Sequence, residues 1–226
     1  VGIGFNALTA STTASYNVAV GREALVANTT GASNTAIGRN ALGVNTTGAD
    51  NVAIGALALD ANTTASNNTT VGSESMSATT TGEQNTAMGK ASMGANTTGN
   101  YNAAFGAYSL DANTTADNNT AVGYGSLGAN TTGASNTAVG AYALDANTTG
   151  SQNVAVGYNA LTAATTGNFN IAMGHEALDA ITTGSNNLAI GQSALGTNTA
   201  DNNIAIGYNA MLANTTGASN VAIGYT

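Results

Sequence analysis

The pentapeptide Asn-Thr-Ala-Val-Gly at residues 119–123 returns at 136–140, and close variants of it stand at seventeen-residue intervals along the chain. With asparagine as position one, units begin at Asn17, Asn34, Asn51, Asn68, Asn85, Asn102, Asn119, Asn136, Asn153, Asn170, Asn187, Asn203 and Asn220. Only the step from Asn187 to Asn203 is sixteen. A fixed period constrains the fold more than composition does, because a unit this small cannot bury a core alone and must stack on its neighbours. In the short step one member of a Thr-Thr pair is missing, leaving Thr199 before Ala200, so the pair is expected to lie in a bend rather than in a core strand.

Position four is apolar throughout (Val20, Ile37, Ile54, Val71, Met88, Phe105, Val122 and onward to Ile223), and position nine is Leu or Met from Leu8 to Met211. These are the expected core columns. Position five is glycine in every copy: Gly21, Gly38, Gly55, Gly72, Gly89, Gly106, Gly123, Gly140, Gly157, Gly174, Gly191 and Gly207, with Gly4 and Gly224 at the ends. A glycine fixed at an interior site predicts a sharp corner, where the backbone takes a positive φ or passes close to its neighbour. Positions three and eight are small, and position two is mainly Thr, Val or Ile, which supplies strand character. A helical repeat is disfavoured by the recurrent glycine and by β-branched residues where helices favour Leu, Glu and Lys. Paired-helix repeats are also about twice as long. The expected fold is all-β: a parallel β-solenoid, or β-roll, of seventeen-residue coils, with residues 1–226 forming a single array of about thirteen repeats. Without distinct capping sequences at either end, the chain reads as a segment of a longer fibrous protein.

In-register stacking accounts for the recurring polar residues. Threonine fills position thirteen from Thr12 to Thr215, usually preceded by asparagine: Asn28, Asn45, Asn62, Asn96, Asn113, Asn130, Asn147 and Asn214. These asparagines are expected to form an amide ladder, as in cross-β stacks. Asn-Thr-Thr also satisfies the glycosylation sequon. A column of Asn and Thr could order water as an ice-binding face does, although adjacent residues of a strand point to opposite faces, which spoils a two-column array.

Composition closes off several classes. The net charge is −8 with three basic residues, Arg22, Arg39 and Lys90, so no basic patch exists to neutralise phosphates and nucleic-acid binding is not expected. There is no cysteine, and no apolar run approaches the ~20 residues of a membrane span, so no membrane insertion by this segment is expected. His175 is the one histidine; it stands beside Glu176 at position six, a variable site, and without repeated acids or a second histidine neither a triad nor a metal-ligand set can be assembled. No enzymatic activity, cofactor or metal is expected. Asp60, Asp111, Asp145 and Asp179 share position ten without the glycine-aspartate pattern of calcium rolls. Tyr124, Tyr158, Tyr208 and Tyr225 at position six, with Tyr108 and Tyr142 at seven, leave sugar stacking open.

The unit N-[TV]-A-[VI]-G followed by [AS]-[LM] resembles the head repeats of trimeric autotransporter adhesins, and more closely the NTAIG…AL…NTTG arrays of tail-fibre-like proteins of bacteriophages and bacteria. The likeness runs through essentially the whole chain, although seventeen residues exceed the usual adhesin coil. It implies three chains packed side by side as parallel β-rolls, in an extracellular or virion appendage that meets a host receptor or glycan.

The residues add a separate argument for association. If position four points inward, position three points outward, and Ala36, Ala53, Ala87, Ala104, Ala121, Ala138, Ala155 and Ala172 form an uncharged outer strip suited to a homotrimer interface. The reading is a structural attachment fibre, phage tail-fibre-like, with a bacterial trimeric adhesin head as the alternative and an ice-binding or carbohydrate-binding solenoid as the rival from another class.

Overall fold

In the computed structural model, which describes residues 1–225, the chain is a parallel β-solenoid with about seventeen residues per coil and, among the described residues, no helix. It divides into two compact units, Val1–Ala116 and Asp117–Thr226. The first contains β1 (Gly2–Ile3), β2 (Val18–Val20), β3 (Thr35–Ile37), β4 (Val52–Ile54), β5 (Thr69–Val71), β6 (Thr86–Met88) and β7 (Ala103–Phe105). Each pairs in parallel with the next in chain order, Ala19 with Ala36 and Ala36 with Ala53. The second contains β8 (Thr120–Val122), β9 (Thr137–Val139), β10 (Val154–Val156), β11 (Ile171–Met173), β12 (Leu188–Ile190), β13 (Ile204–Ile206) and β14 (Val221–Ile223), paired in the same way.

Regular strand covers only positions two to four; the rest of each coil is bends and turns that still bond from coil to coil. Backbone N–H groups at positions five, seven and seventeen donate to the preceding coil, as in Gly38 to Val20 (2.8 Å), Asn40 to Arg22 (2.9 Å) and Ser33 to Ser15 (2.9 Å). Those at two, nine and thirteen donate to the following coil: Thr35 to Asn51 (2.8 Å), Leu25 to Ala41 (3.0 Å) and Thr29 to Thr46 (3.0 Å). The ladder thus continues through the irregular segments, and buried peptide groups stay paired.

The expected corner sits at position five. Gly140 has φ +136°, and a Cβ added there would stand 2.4 Å from the carbonyl oxygen of Gly157, so both conformation and closeness require glycine. The sequence did not signal that non-glycine residues at positions seven, nine and seventeen are left-handed as well, for example Glu23 (φ 58°), Leu25 (φ 49°) and Ser33 (φ 59°). Such φ values are uncommon outside glycine. Here the coil-to-coil bonds at those very positions hold them.

One expectation about the core is reversed. Position nine is buried as predicted, from Leu25 to Leu195, but the inward strand residue is position three, not four. Ala36, Ala53, Ala87, Ala104, Ala121, Ala138, Ala155 and Ala172 are all fully buried, whereas Ile37 is 38% exposed and Met88 43%. The alanine column is therefore no outer strip. Its reason is lack of room: a Cβ placed on Gly2, also at position three, would lie 3.1 Å from the carbonyl oxygen of Ala7 and 3.5 Å from Cβ of Leu8. Where both small positions carry hydroxyls, they touch, Thr70 Oγ1 donating to Ser75 Oγ at 2.5 Å. A methyl group already fills the gap, so the bulkier residues at position four must face outward.

The shortened coil keeps its register. Ile190 pairs with Ile206, and Leu195 N donates to Ala210 O at 3.0 Å, as in full-length coils. The missing residue is absorbed between Asn198 and Ala200, where Asn198 Nδ2 reaches the carbonyl two residues on (2.8 Å) instead of three. The Thr-Thr pair is thus a bend, as its loss predicted.

Candidate functional site

His175 Nδ1 lies 3.5 Å from Glu176 Oε2, with both side chains about half exposed, and no cluster of three or more metal-ligating side chains occurs among the described residues. Likewise, among the described residues no helix is long and apolar enough to cross a membrane. What the structure offers is surfaces, and two interior ladders that hold them.

The first ladder joins the position-twelve asparagines. Asn45 Nδ2 donates to Asn28 Oδ1 at 2.9 Å, Asn62 to Asn45 at 2.9 Å, and Asn147 to Asn130 at 2.7 Å; Asn113 donates to Asn96 at 2.9 Å. Each also donates to the carbonyl three residues ahead, as Asn28 does to Gly31 at 2.9 Å. The second ladder was not foreseen. Position-one asparagines are buried too; Asn34 N donates to Asn17 Oδ1 at 2.8 Å, and Asn17 Nδ2 crosses the coil to Gly31 O at 2.8 Å. The Gly31 carbonyl therefore takes two side-chain amides, which fasten the start of a coil to its end. A signal was present in the sequence, since position one is asparagine in every unit from Asn17 to Asn220, a stronger regularity than position twelve.

Burial separates the Asn-Thr-Thr sequons, since Asn214 is only half-buried. Asn28, Asn45, Asn62, Asn96, Asn113, Asn130 and Asn147 are fully buried, so glycosylation there is incompatible with the coil. The threonine rows differ from each other. Position thirteen bonds onward, Thr29 Oγ1 to Thr46 O at 3.0 Å and Thr148 Oγ1 to Thr165 O at 3.1 Å, while position fourteen faces solvent. Of the two adjacent threonine rows, position thirteen is thus tied to the next coil and position fourteen is the one turned outward.

The strand face carries four outward rows. Positions seventeen, two, four and six alternate with the buried positions one and three and the glycine corner. Rows two and four are apolar or threonine: Val18 and Val20, Thr35 and Ile37, Val52 and Ile54 in the first unit; Thr137 and Val139, Ile171 and Met173 in the second. In the second unit row six carries Tyr124, Tyr158, His175, Tyr208 and Tyr225, and Tyr142 joins them from position seven. Tyr124 and Tyr142 meet edge to face at 5.4 Å, Tyr142 and Tyr158 at 6.3 Å, and Tyr158 stacks on His175 at 5.4 Å and 22°. Tyr208 stacks on Tyr225 at 5.1 Å and 14°. Each contact covers part of a ring face, yet Tyr124, Tyr142, Tyr158, Tyr208 and Tyr225 all stay exposed.

The position-ten aspartates are half-buried. Burial pushes the carboxyls of Asp60, Asp111, Asp145 and Asp179 above the ordinary value of 3.8, against the lowering effect of Arg39 on Asp60 and of a backbone hydrogen bond from Gly94 on Asp111. For Asp111 and Asp145 a glycine one coil earlier makes the room: a Cβ on Gly94 would meet Asp111 Oδ1 at 2.7 Å, and one on Gly128 would meet Asp145 Oδ1 at 2.6 Å.

Compared with known proteins, the chain matches no family model, no curated protein and no solved structure.

Proposed function

We propose that this chain is the repeat shaft of a surface-attachment fibre: a non-enzymatic, extracellular, homotrimeric spacer of the phage tail-fibre type, with the head of a bacterial trimeric adhesin as the alternative. The observation that carries the reading is the apolar pair of rows two and four, which runs without a charged residue along the strand face of each unit. Exposed apolar surface of this extent marks an association site more often than a free surface. It stands over a core of leucine and paired asparagine that gives every coil the same cross-section, which suits a stiff spacer. Contact with host-surface glycans belongs to the same reading, through the exposed rings of Tyr124, Tyr142 and Tyr158. Native mass spectrometry tests the assembly: a trimer is expected, and a monomer at micromolar concentration would sink it. Glycan-array binding, lost in a Tyr124→Ala, Tyr158→Ala variant, tests the contact.

A further inference from the structure

Besides the Asn-Thr-Thr copies, the chain carries sequons in another frame, Asn67-Asn68-Thr69 and Asn118-Asn119-Thr120. Their first asparagines fall at position seventeen, and both are exposed. The fold fixes this arrangement. Position seventeen is left-handed, with φ 62° at Asn67 and 61° at Asn118, a conformation that asparagine adopts more readily than most residues. Position one then turns inward and position two outward again, so Asn68 and Asn119 are buried while Thr69 and Thr120 lie on the same side of the chain as the exposed asparagines. Neighbouring coils hold the segment at both ends, Asn67 N on Ala49 O at 3.1 Å and Thr69 N on Asn85 O at 2.9 Å. Along row seventeen Asn67 stands between the exposed Asp50 and Gln84, and Asn118 is followed one coil later by the exposed Ser135.

We propose that Asn67 and Asn118 are acceptor sites for N-linked glycosylation of the folded chain, served by a sequon-reading transferase and a nucleotide sugar. In the transfer, Nδ2 of the asparagine forms a bond to C1 of the sugar and the bond from C1 to the donor's phosphate oxygen breaks. The electron pair leaves on the phosphate, and one amide proton passes to a base of the transferase. Exposure is what separates these sites from the ladder: the amide of Asn28 is buried and committed to Gly31 O at 2.9 Å, whereas a sugar at position seventeen requires no coil to open. The inference concerns a single folded chain and does not depend on the association proposed above.

Row seventeen supplies its own controls. Asn186 and Asn202 share the position, the exposure and the left-handed backbone (φ 60° at both), but Leu188 and Ile204 stand where the sequon needs a hydroxyl. The folded chain, incubated with UDP-glucose and a soluble sequon-specific asparagine glucosyltransferase, is expected to gain two hexoses in its intact mass. Peptide mapping should place them on Asn67 and Asn118, with none on Asn186 or Asn202. Thr69→Ala should remove the first and Thr120→Ala the second, although each acceptor remains, and Leu188→Thr should add a third at Asn186. A synthetic peptide of residues 64–72 reports that the enzyme is active. Modification of that peptide but not of the folded chain would overturn the proposal, as would hexose on the ladder asparagines of the folded chain or on Asn186 without the threonine.

Discussion

Asn147 donates its side-chain amide to Asn130 across 2.7 Å, yet its own buried Oδ1 has no partner, because the equivalent position of the next coil is Ala164. A buried acceptor left unpaired costs about 1–3 kcal/mol. Ala164→Asn supplies a donor for it, and chemical denaturation is expected to report a gain of about 1 kcal/mol. Asn130→Ala should do the reverse, at about 1 kcal/mol or more, by leaving one N–H of the Asn147 amide unpaired while the other stays on Gly150 O. Equal stability of both variants would mean that water satisfies the column.

The two glycine columns are expected to respond differently. Position fifteen already accepts alanine at Ala65 and Ala116, although a Cβ built on Gly48 would stand 2.2 Å from Ala65 O, so that bend adjusts. Position five is never replaced. Gly150→Ala should therefore cost no more than about 1 kcal/mol, and Gly140→Ala, with positive φ and a backbone clash, about 3 kcal/mol or more. Thermal melts of the two variants check the ranking.

Inside and outside are separable at adjacent residues. Ala138 is fully buried while Val139 is 37% exposed. Ala138→Arg forces a charge into the interior and is expected to abolish the β circular-dichroism signal. Val139→Arg should preserve that signal and weaken association instead. If both variants fold, the assignment of the interior to position three is wrong.

The half-buried aspartates set a pH dependence with a defined sign. Their folded-state pKa values are raised, so in acid the native chain binds protons more tightly than the unfolded one. Stability should therefore rise as pH falls from neutrality through the raised values, and the gain should be complete below the ordinary value of 3.8. The Asp111→Asn, Asp145→Asn variant should be more stable at pH 7 and lose part of this slope, as read from melting temperature between pH 7 and 4.

The period, the glycine corner and the bend at Thr199 were legible because each is a constraint on the backbone, and backbone constraints repeat identically. The parity of the strand was not. Alternation says that positions three and four face opposite ways, but which way depends on the interior width, and that is set by Leu at nine and two asparagine columns lying across the coil. Residue size suggested Ile37 for the inside; the available gap admits only Ala36. The left-handed residues at positions seven, nine and seventeen were hidden because side chains as different as Glu23, Leu57 and Tyr108 occupy the same conformation at position seven. There the stack, not local preference, selects the backbone.

The asparagine ladders also have a direction. In both columns the later residue donates and the earlier one accepts, Asn45 to Asn28 and Asn34 to Asn17, always across one coil. A ribosome releases the earlier coil first. Each coil thus emerges to find a row of oxygens already in place, so the array can be built up during synthesis like courses of brick, every course reading its alignment from the one beneath. Contacts reach only a coil away, which keeps the loops to be closed short.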